Sequence, residues 1–238
     1  MHRPRTILFF LLLCLTINKA SADSGDTLKL LFIGNSLTYT NDLPDLVKEI
    51  GEKEGKVMTC DRIALPDYSL EDHWNDGKAA AAIEEGKYDY VILQQGPSAL
   101  PESQVLLKTY TEKFAVECRK ARSVMALFMV WPSRARAFDF DKVISSYSHA
   151  AAENGALLCP AGLAWKKVWQ VNPALPLYGA DGFHPGMDGT VLAAMTIYGS
   201  LLKRSSLDFL TYGDCSWKEM ISKDTHTLFL SVIKSMMP

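Results

Sequence analysis

The sequence predicts an α/β protein, a three-layer sandwich of flavodoxin-like type with a central parallel five-stranded sheet covered by helices on both faces. Three observations carry this expectation. From Leu28 to Arg204 short apolar runs alternate with longer amphipathic stretches. The runs are apolar on both sides, as strands covered on two faces must be. Gly or Pro closes most of them, at Gly34, Gly55, Gly86, Pro132 and Gly155, where a helix or strand has to stop.

The elements follow in order. Leu28 to Ile33 reads as a buried strand that stops at Gly34-Asn35-Ser36. Pro44 to Glu54 reads as a helix, with Asn41 or Asp42 as its N-cap and Gly55 as its stop. Lys56 to Ala64 is a second strand, and Leu70 to Glu85, with four consecutive alanines, a helix ending at Gly86. Asp89 to Gln94 is a third strand, central by its apolar content, and Pro101 to Arg122 a long helix with Pro in its first turn. Val124 to Trp131 is a fourth strand, Phe138 to Asn154 a helix, and Ala156 to Cys159 a short fifth strand. Helices over Ala161 to Gln170 and Asp188 to Arg204 flank a Pro-rich loop, and the second carries Leu192, Met195 and Tyr198 on one side. The remainder, 205–238, breaks the rhythm; Thr227 to Met237 reads as a helix packed on the outside of the same domain.

Residues 1–22 read as a secretory signal peptide. A basic start (His2-Arg3-Pro4-Arg5) precedes an apolar run from Ile7 to Ile17, and Ala20-Ser21-Ala22 supplies small residues before a cleavage site at Asp23. The run is short of the roughly 18–20 residues a membrane span requires; a retained N-terminal anchor is the competing reading. The expected organisation is therefore a leader at 1–22, one α/β domain at 23–204 and an extension at 205–238. Cleavage would remove Arg3, Arg5 and Lys19 and no acid, taking the formal charge from −2 to −5. It would also remove Cys14, leaving Cys60, Cys118, Cys159 and Cys215. Four thiols in an oxidising compartment allow three disulfide pairings, with buried free thiols as the alternative.

Composition excludes more than it names. With 48% hydrophobic and 22% charged residues the chain is neither fibrous nor disordered, and 238 residues suffice for a self-supporting core. A sequence pI near 6.2 argues against a nucleic-acid surface. No Gly-rich phosphate loop and no metal-ligand cluster stands in the sequence.

In an open parallel sheet, ligands bind beyond the carboxyl ends of the strands. There the first strand closes on Gly34-Asn35-Ser36-Leu37. A glycine lets the backbone swing and leaves the Ser36 hydroxyl and N–H at the sheet edge, placed as a nucleophile whose own N–H can hold an oxyanion. A helix cap is the other common use of such a serine. Far along the chain, Asp181-Gly182-Phe183-His184-Pro185 precedes the last helix of the sheet domain. That Asp can fix the tautomer of the His, which then takes the serine proton.

Together, G-N-S after the first strand and D-x-x-H before the last helix resemble the SGNH hydrolases, within the GDSL-type esterase and lipase superfamily, over about Leu28 to Leu202. The resemblance implies Ser36 as nucleophile, His184 as general base, Asp181 as its orienter, and no metal or organic cofactor. It also implies an oxyanion hole completed by a glycine after the second strand and an Asn after the third. Here Asp67 stands at the glycine, with only its backbone N–H to offer. The run Gln94-Gln95-Gly96-Pro97-Ser98 puts Ser98 at the Asn, with Gln95 as a substitute amide. Tyr39, His73 and Trp131, with Trp74 and Phe183, are expected to line a substrate groove. Arg134 and Arg136 are expected in a solvated loop, able to meet an anionic substrate, and His149 and His226 at the surface.

The resulting expectation is an exported serine esterase acting on a small ester or an acylated carbohydrate, with an acetyl group as first choice. Lysophospholipids and thioesters are the alternatives within the resemblance. A weakly active or inactive glycan-binding protein on the same fold is the alternative outside it, motivated by Asp67 and Ser98.

Overall fold

The computed structural model describes residues 27–236; the leader expected at 1–22 lies outside them. Five strands, β1 (Leu28–Gly34), β2 (Met58–Ala64), β3 (Tyr90–Leu93), β4 (Val124–Phe128) and β5 (Leu157–Cys159), form one sheet in the order β2-β1-β3-β4-β5. Every pairing is parallel. Central β1 shows why: Leu30 to Ile33 are all buried, so neither face of the strand meets water. β2 is one of the two edge strands and carries Thr59, Asp61 and Arg62 among its more exposed residues. Strand order reverses between β1 and β3, and in this topology the crevice for a ligand opens at that switch point.

The helices are α1 (Ser36–Tyr39), α2 (Leu43–Lys53), α3 (Leu70–Asp76), α4 (Lys78–Gly86), α5 (Pro101–Ala121), α6 (Phe140–Asn154), α7 (Ala161–Val171), α8 (Met187–Leu201) and α9 (Lys223–Met236). α2, α7 and α8 pack together on one side of the sheet, α3 to α6 on the other, with α6 meeting α7 around the β5 edge. The three-layer sandwich expected from the sequence is present.

Several boundaries differ for local reasons. The single helix expected from Leu70 to Glu85 is two, because Gly77 adopts a left-handed φ of 76° and ends α3 while starting α4. The fourth strand leaves the ladder at Phe128, three residues early. Met129 to Trp131 stay fully buried, but Trp131 turns to stack on Trp165 of α7 with ring centroids 3.6 Å apart. A 3-10 turn over Arg134–Asp139 stands where the start of the sixth helix was expected. Asp42 occupies the N-cap position of α2 without a side-chain cap, and Asn41 points its amide elsewhere.

α8 is buried all round and not on one side alone. Such a helix needs cover on every face, and the C-terminal extension supplies it: α9 packs on both α7 and α8. His226, expected at the surface, is therefore buried, accepting from Trp217 Nε1 at 3.3 Å with its Nε2 at 3.2 Å from the Leu210 carbonyl. Cys60, Cys118, Cys159 and Cys215 are all free thiols, and burial pushes their pKa values up, to about 12 for the first three and about 11 for Cys215. Among the described residues no helix is long and apolar enough to cross a membrane.

Candidate active site

The turn that presents Ser36 is built from buried polar groups. Asn35 caps the one-turn helix α1, its Oδ1 accepting the N–H of Leu37 at 3.1 Å. Its own N–H donates to Gln94 Oε1 at 2.9 Å, and Thr38 Oγ1 donates to the same oxygen at 2.8 Å. From α3, His73 Nε2 donates to the Gly34 carbonyl at 2.7 Å. Gly34 is required here for space and not, as the sequence implied, for a swing of the backbone. A Cβ would lie 2.4 Å from Gln94 Oε1 and 2.5 Å from Thr38 Oγ1. The same Asn35 reaches sideways through Nδ2 to the Tyr68 carbonyl at 3.0 Å, tying the Ser36 turn to the loop after β2.

The histidine arrives from 148 residues away. His184 Nε2 lies 2.9 Å from Ser36 Oγ, and His184 Nδ1 lies 2.5 Å from Asp181 Oδ2. The other carboxylate oxygen of Asp181 accepts the N–H groups of Phe183 and His184 at 2.9 and 3.0 Å. Gly182, with a left-handed φ of 70°, lets the chain fold back between them. The imidazole first and the Phe183 N–H second hold the Asp181 carboxyl down, at about 2. An ionised carboxylate can only accept, so the ring proton sits on Nδ1 and leaves the Nε2 lone pair facing the serine hydroxyl.

A cleft of about 390 Å³ opens at the carboxyl ends of β1, β2 and β3; Asn35, next to Ser36, lines it, while Ser36, Asp181 and His184 do not. Asn35, Asp67 and Ser98 border it, Leu100 and Leu106 form an apolar wall, and Arg136 closes it. Asp67 and Ser98 both adopt left-handed backbone, φ 60° and 56°. Among the described residues the N–H groups of Ser36 and Asp67 have no acceptor. The side-chain donors expected beside them are spent elsewhere. Gln95 Nε2 donates to Ser98 Oγ and to the Ser103 carbonyl, both at 3.2 Å, and Ser98 Oγ donates to the Gly96 carbonyl at 2.9 Å. Buried Tyr147 pins the same loop from beneath, donating to the Gln95 carbonyl at 2.5 Å, with burial raising its phenol far above the usual range.

The expected groove lining is not brought together. His73 and Trp131 are fully buried: the first braces Gly34, the second donates Nε1 to the Phe183 carbonyl at 3.1 Å behind the histidine loop. Tyr39 does not line the cleft; the Arg62 guanidinium lies over its ring at 5.9 Å. Trp74 packs edge-on against Phe114, and Phe183 lies edge-on to the His184 ring. Arg136, expected in a solvated loop, is fixed by fully buried Asp139, while Arg134 covers Tyr178. Sequence reasoning missed Gln94, whose signal was an amide ending an apolar strand, and Asn41, read only as a cap. No residue of 205–236 lines the cleft. Among the described residues no group of three His, Cys, Asp or Glu is placed to hold a metal ion.

No protein-family model matches the chain, and no curated protein matches it by sequence. Solved structures do resemble it. A DUF4886 family protein from Bacteroides uniformis superposes with a TM-score of 0.72 at 19% identity, covering 88% of this chain and 94% of that one. A candidate SGNH hydrolase from Slackia heliotrinireducens superposes with a TM-score of 0.62 at 23% identity, over 74% of this chain and all of that one. A variant of an acetyl-xylooligosaccharide esterase from Geobacillus gives 0.56 at 16% identity, over 75% and 94%. The fold is that of the SGNH hydrolases.

Proposed function

We propose that this chain is an exported serine esterase of the SGNH type, cleaving carboxylic esters of short acyl groups, acetyl first, borne by a carbohydrate. One observation carries the reading: the unbroken line from Ser36 Oγ through His184 to Asp181, at 2.9 and 2.5 Å, with the histidine tautomer set for proton abstraction. Similarity to a fold that includes acetyl-ester hydrolases supports the acyl choice, as does a cleft of modest volume. Export rests on the segment 1–22.

In this mechanism Ser36 Oγ bonds to the ester carbonyl carbon as its proton passes to His184 Nε2. The carbonyl oxygen becomes an oxyanion held by the N–H groups of Ser36 and Asp67, and Asp181 stabilises the imidazolium it hydrogen-bonds. Collapse breaks the bond to the alcohol oxygen, which takes the proton from Nε2, and leaves an acyl-Ser36. Water then repeats the sequence: its proton goes to Nε2, its oxygen bonds to the acyl carbon, and Ser36 Oγ leaves with that proton. A hole of backbone donors alone lacks a contribution worth about 2.7–4 kcal/mol, which predicts a slow enzyme.

Purified mature protein with a p-nitrophenyl acyl series tests this. Hydrolysis falling with acyl length and abolished by Ser36→Ala supports it, as does a fluorophosphonate adduct on Ser36. Activity surviving Ser36→Ala sinks it. The spent donors of Gln95 and Ser98 favour one second reading, a glycan-binding protein without turnover. That protein would retain acetylated xylan oligosaccharides and give neither hydrolysis nor an adduct. Lysophosphatidylcholine or an acyl thioester as the better substrate would redirect the specificity alone.

A further inference from the structure

The nucleophile and its base come from two segments 148 residues apart, and a single side chain joins those segments besides the pair itself. Asn41, five residues after Ser36, donates from Nδ2 to the Pro185 carbonyl at 3.1 Å and to Thr190 Oγ1 at 2.8 Å. Among the described residues no other side-chain hydrogen bond connects 35–42 with 181–190 apart from Ser36–His184. Pro185 follows the histidine directly, and Thr190 lies in the first turn of α8, fully buried. We propose that Asn41 is a positioning residue that sets the separation of Ser36 Oγ and His184 Nε2, a role that rests on the serine-hydrolase reading for its catalytic consequence.

Three features make the contact a clamp. First, the amide has one workable orientation. Pro185 offers only a carbonyl oxygen, and the Thr190 hydroxyl proton is engaged by the Gly186 carbonyl at 3.1 Å, so both partners need a donor. Second, Asn41 and Asp42 stand in consecutive left-handed conformations, φ 54° and 52°. Few side chains besides Asn and Asp tolerate this, and such strain persists only where surrounding contacts hold it. Third, the opposite side of the histidine segment is already fixed. Gly179 N–H donates to the His184 carbonyl and Gly186 N–H to the Leu177 carbonyl, both at 2.8 Å. Asn41 thus closes the open side of a loop anchored on the other. Its amide is spent on Pro185 and Thr190, so its loss should act on turnover through the Ser36–His184 separation and not on substrate binding.

The test compares Asn41→Asp, which keeps the backbone preference and size but presents acceptors to acceptors, with Asn41→Gly, which keeps the left-handed turn without a bridge. Thr190→Val and Thr190→Ser form a second pair, the serine retaining the hydroxyl. Both Asn41 variants and Thr190→Val should lower kcat for p-nitrophenyl acetate and the rate of fluorophosphonate labelling together, by about 10²-fold for Asn41. KM should stay within about twofold, and Thr190→Ser should remain near wild type. The low-field proton resonance of His184 Nδ1–H, which needs no catalysis, should broaden or shift in the same variants. Wild-type labelling rate and an unmoved resonance in folded Asn41→Asp and Asn41→Gly overturn the inference. So does a kcat loss that vanishes at temperatures where each variant is fully folded. If wild-type protein takes no label, the esterase reading fails, and the resonance alone judges the clamp.

Discussion

The turn that carries Ser36 and the loop that carries His184 meet at the Ser36–His184 hydrogen bond and at the Asn41 bridge but are held in opposite ways. The turn is buried: Thr38 and His73 are 0% exposed and Gln94 is 1% exposed, and side chains from β3 and α3 grip its backbone. The loop is open: the side chains of Asp181 and His184 are 52% and 38% exposed, and most of its bonds are made within 177–186. Ser36 is thus held as a piece of the core, while His184 sits on a surface loop laid against it. Damage to the turn should cost stability and activity together. Damage to the loop should cost activity alone.

Asp181→Asn gives the largest expected effect and tests the loop. An amide no longer fixes the tautomer or stabilises the imidazolium, and kcat should fall by about 10⁴-fold. The melting temperature should barely move, because the carboxylate is solvated. Its depressed pKa, about 2 against 3.8, means that its stabilising contribution is complete above pH 3.8 and fades as pH falls through about 2. Asp181 therefore stays ionised throughout the usual assay range. A large drop in melting temperature would show the loop to be as much a part of the core as the turn. Gly34→Ala tests the turn. Its methyl would displace Gln94 and Thr38, an overpacking that costs about 1–3 kcal/mol, or roughly 2 to 12 °C in Tm. Activity should fall even where the protein is fully folded, since Asn35 hangs from the displaced Gln94. Unchanged stability would remove the difference between the two regions.

The part of the site legible in the sequence was the part made of local pattern. Ser36 follows a strand, and Asp181 and His184 are three residues apart, so short motifs reveal them. Which of the expected oxyanion donors are free was not legible, because a donor's availability depends on who else is near. Gln95 is drawn off by the Ser103 carbonyl and Ser98 by the Gly96 carbonyl. His73 and Trp131 stand near strand ends like groove residues, yet Gly34 and the Trp165 ring draw them inward. The fold was legible from apolar runs, and only its breaks were not. Gly77 could serve a helix interior or a break, and packing chose the break. α8 carried a readable signal, apolar residues all round, that called for cover by the C-terminal extension.

The smallest expected effect separates the regions by pH. Burial lowers the pKa of His73, and its Nδ1 is a buried atom without a partner among the described residues. Protonation would place charge there with nothing to accept it. A histidine depressed in the folded state stabilises fully above its unfolded value near 6.5, and this stability is lost as pH falls through the window below. His226, buried beneath the C-terminal extension, shifts in the same direction. Each histidine can contribute a slope of at most about 1.4 kcal/mol per pH unit. His73→Gln keeps an N–H donor for the Gly34 carbonyl and removes the titration. Its melting temperature should fall less steeply than wild type between pH 7 and 5, with the slope from His226 remaining. The acid-dependent loss of amide protection at residues 34–38 should disappear in that variant, while exchange at 181–184 should not differ between the two proteins. Equal acid sensitivity of the two segments in wild type and His73→Gln would mean that the buried brace does not separate them.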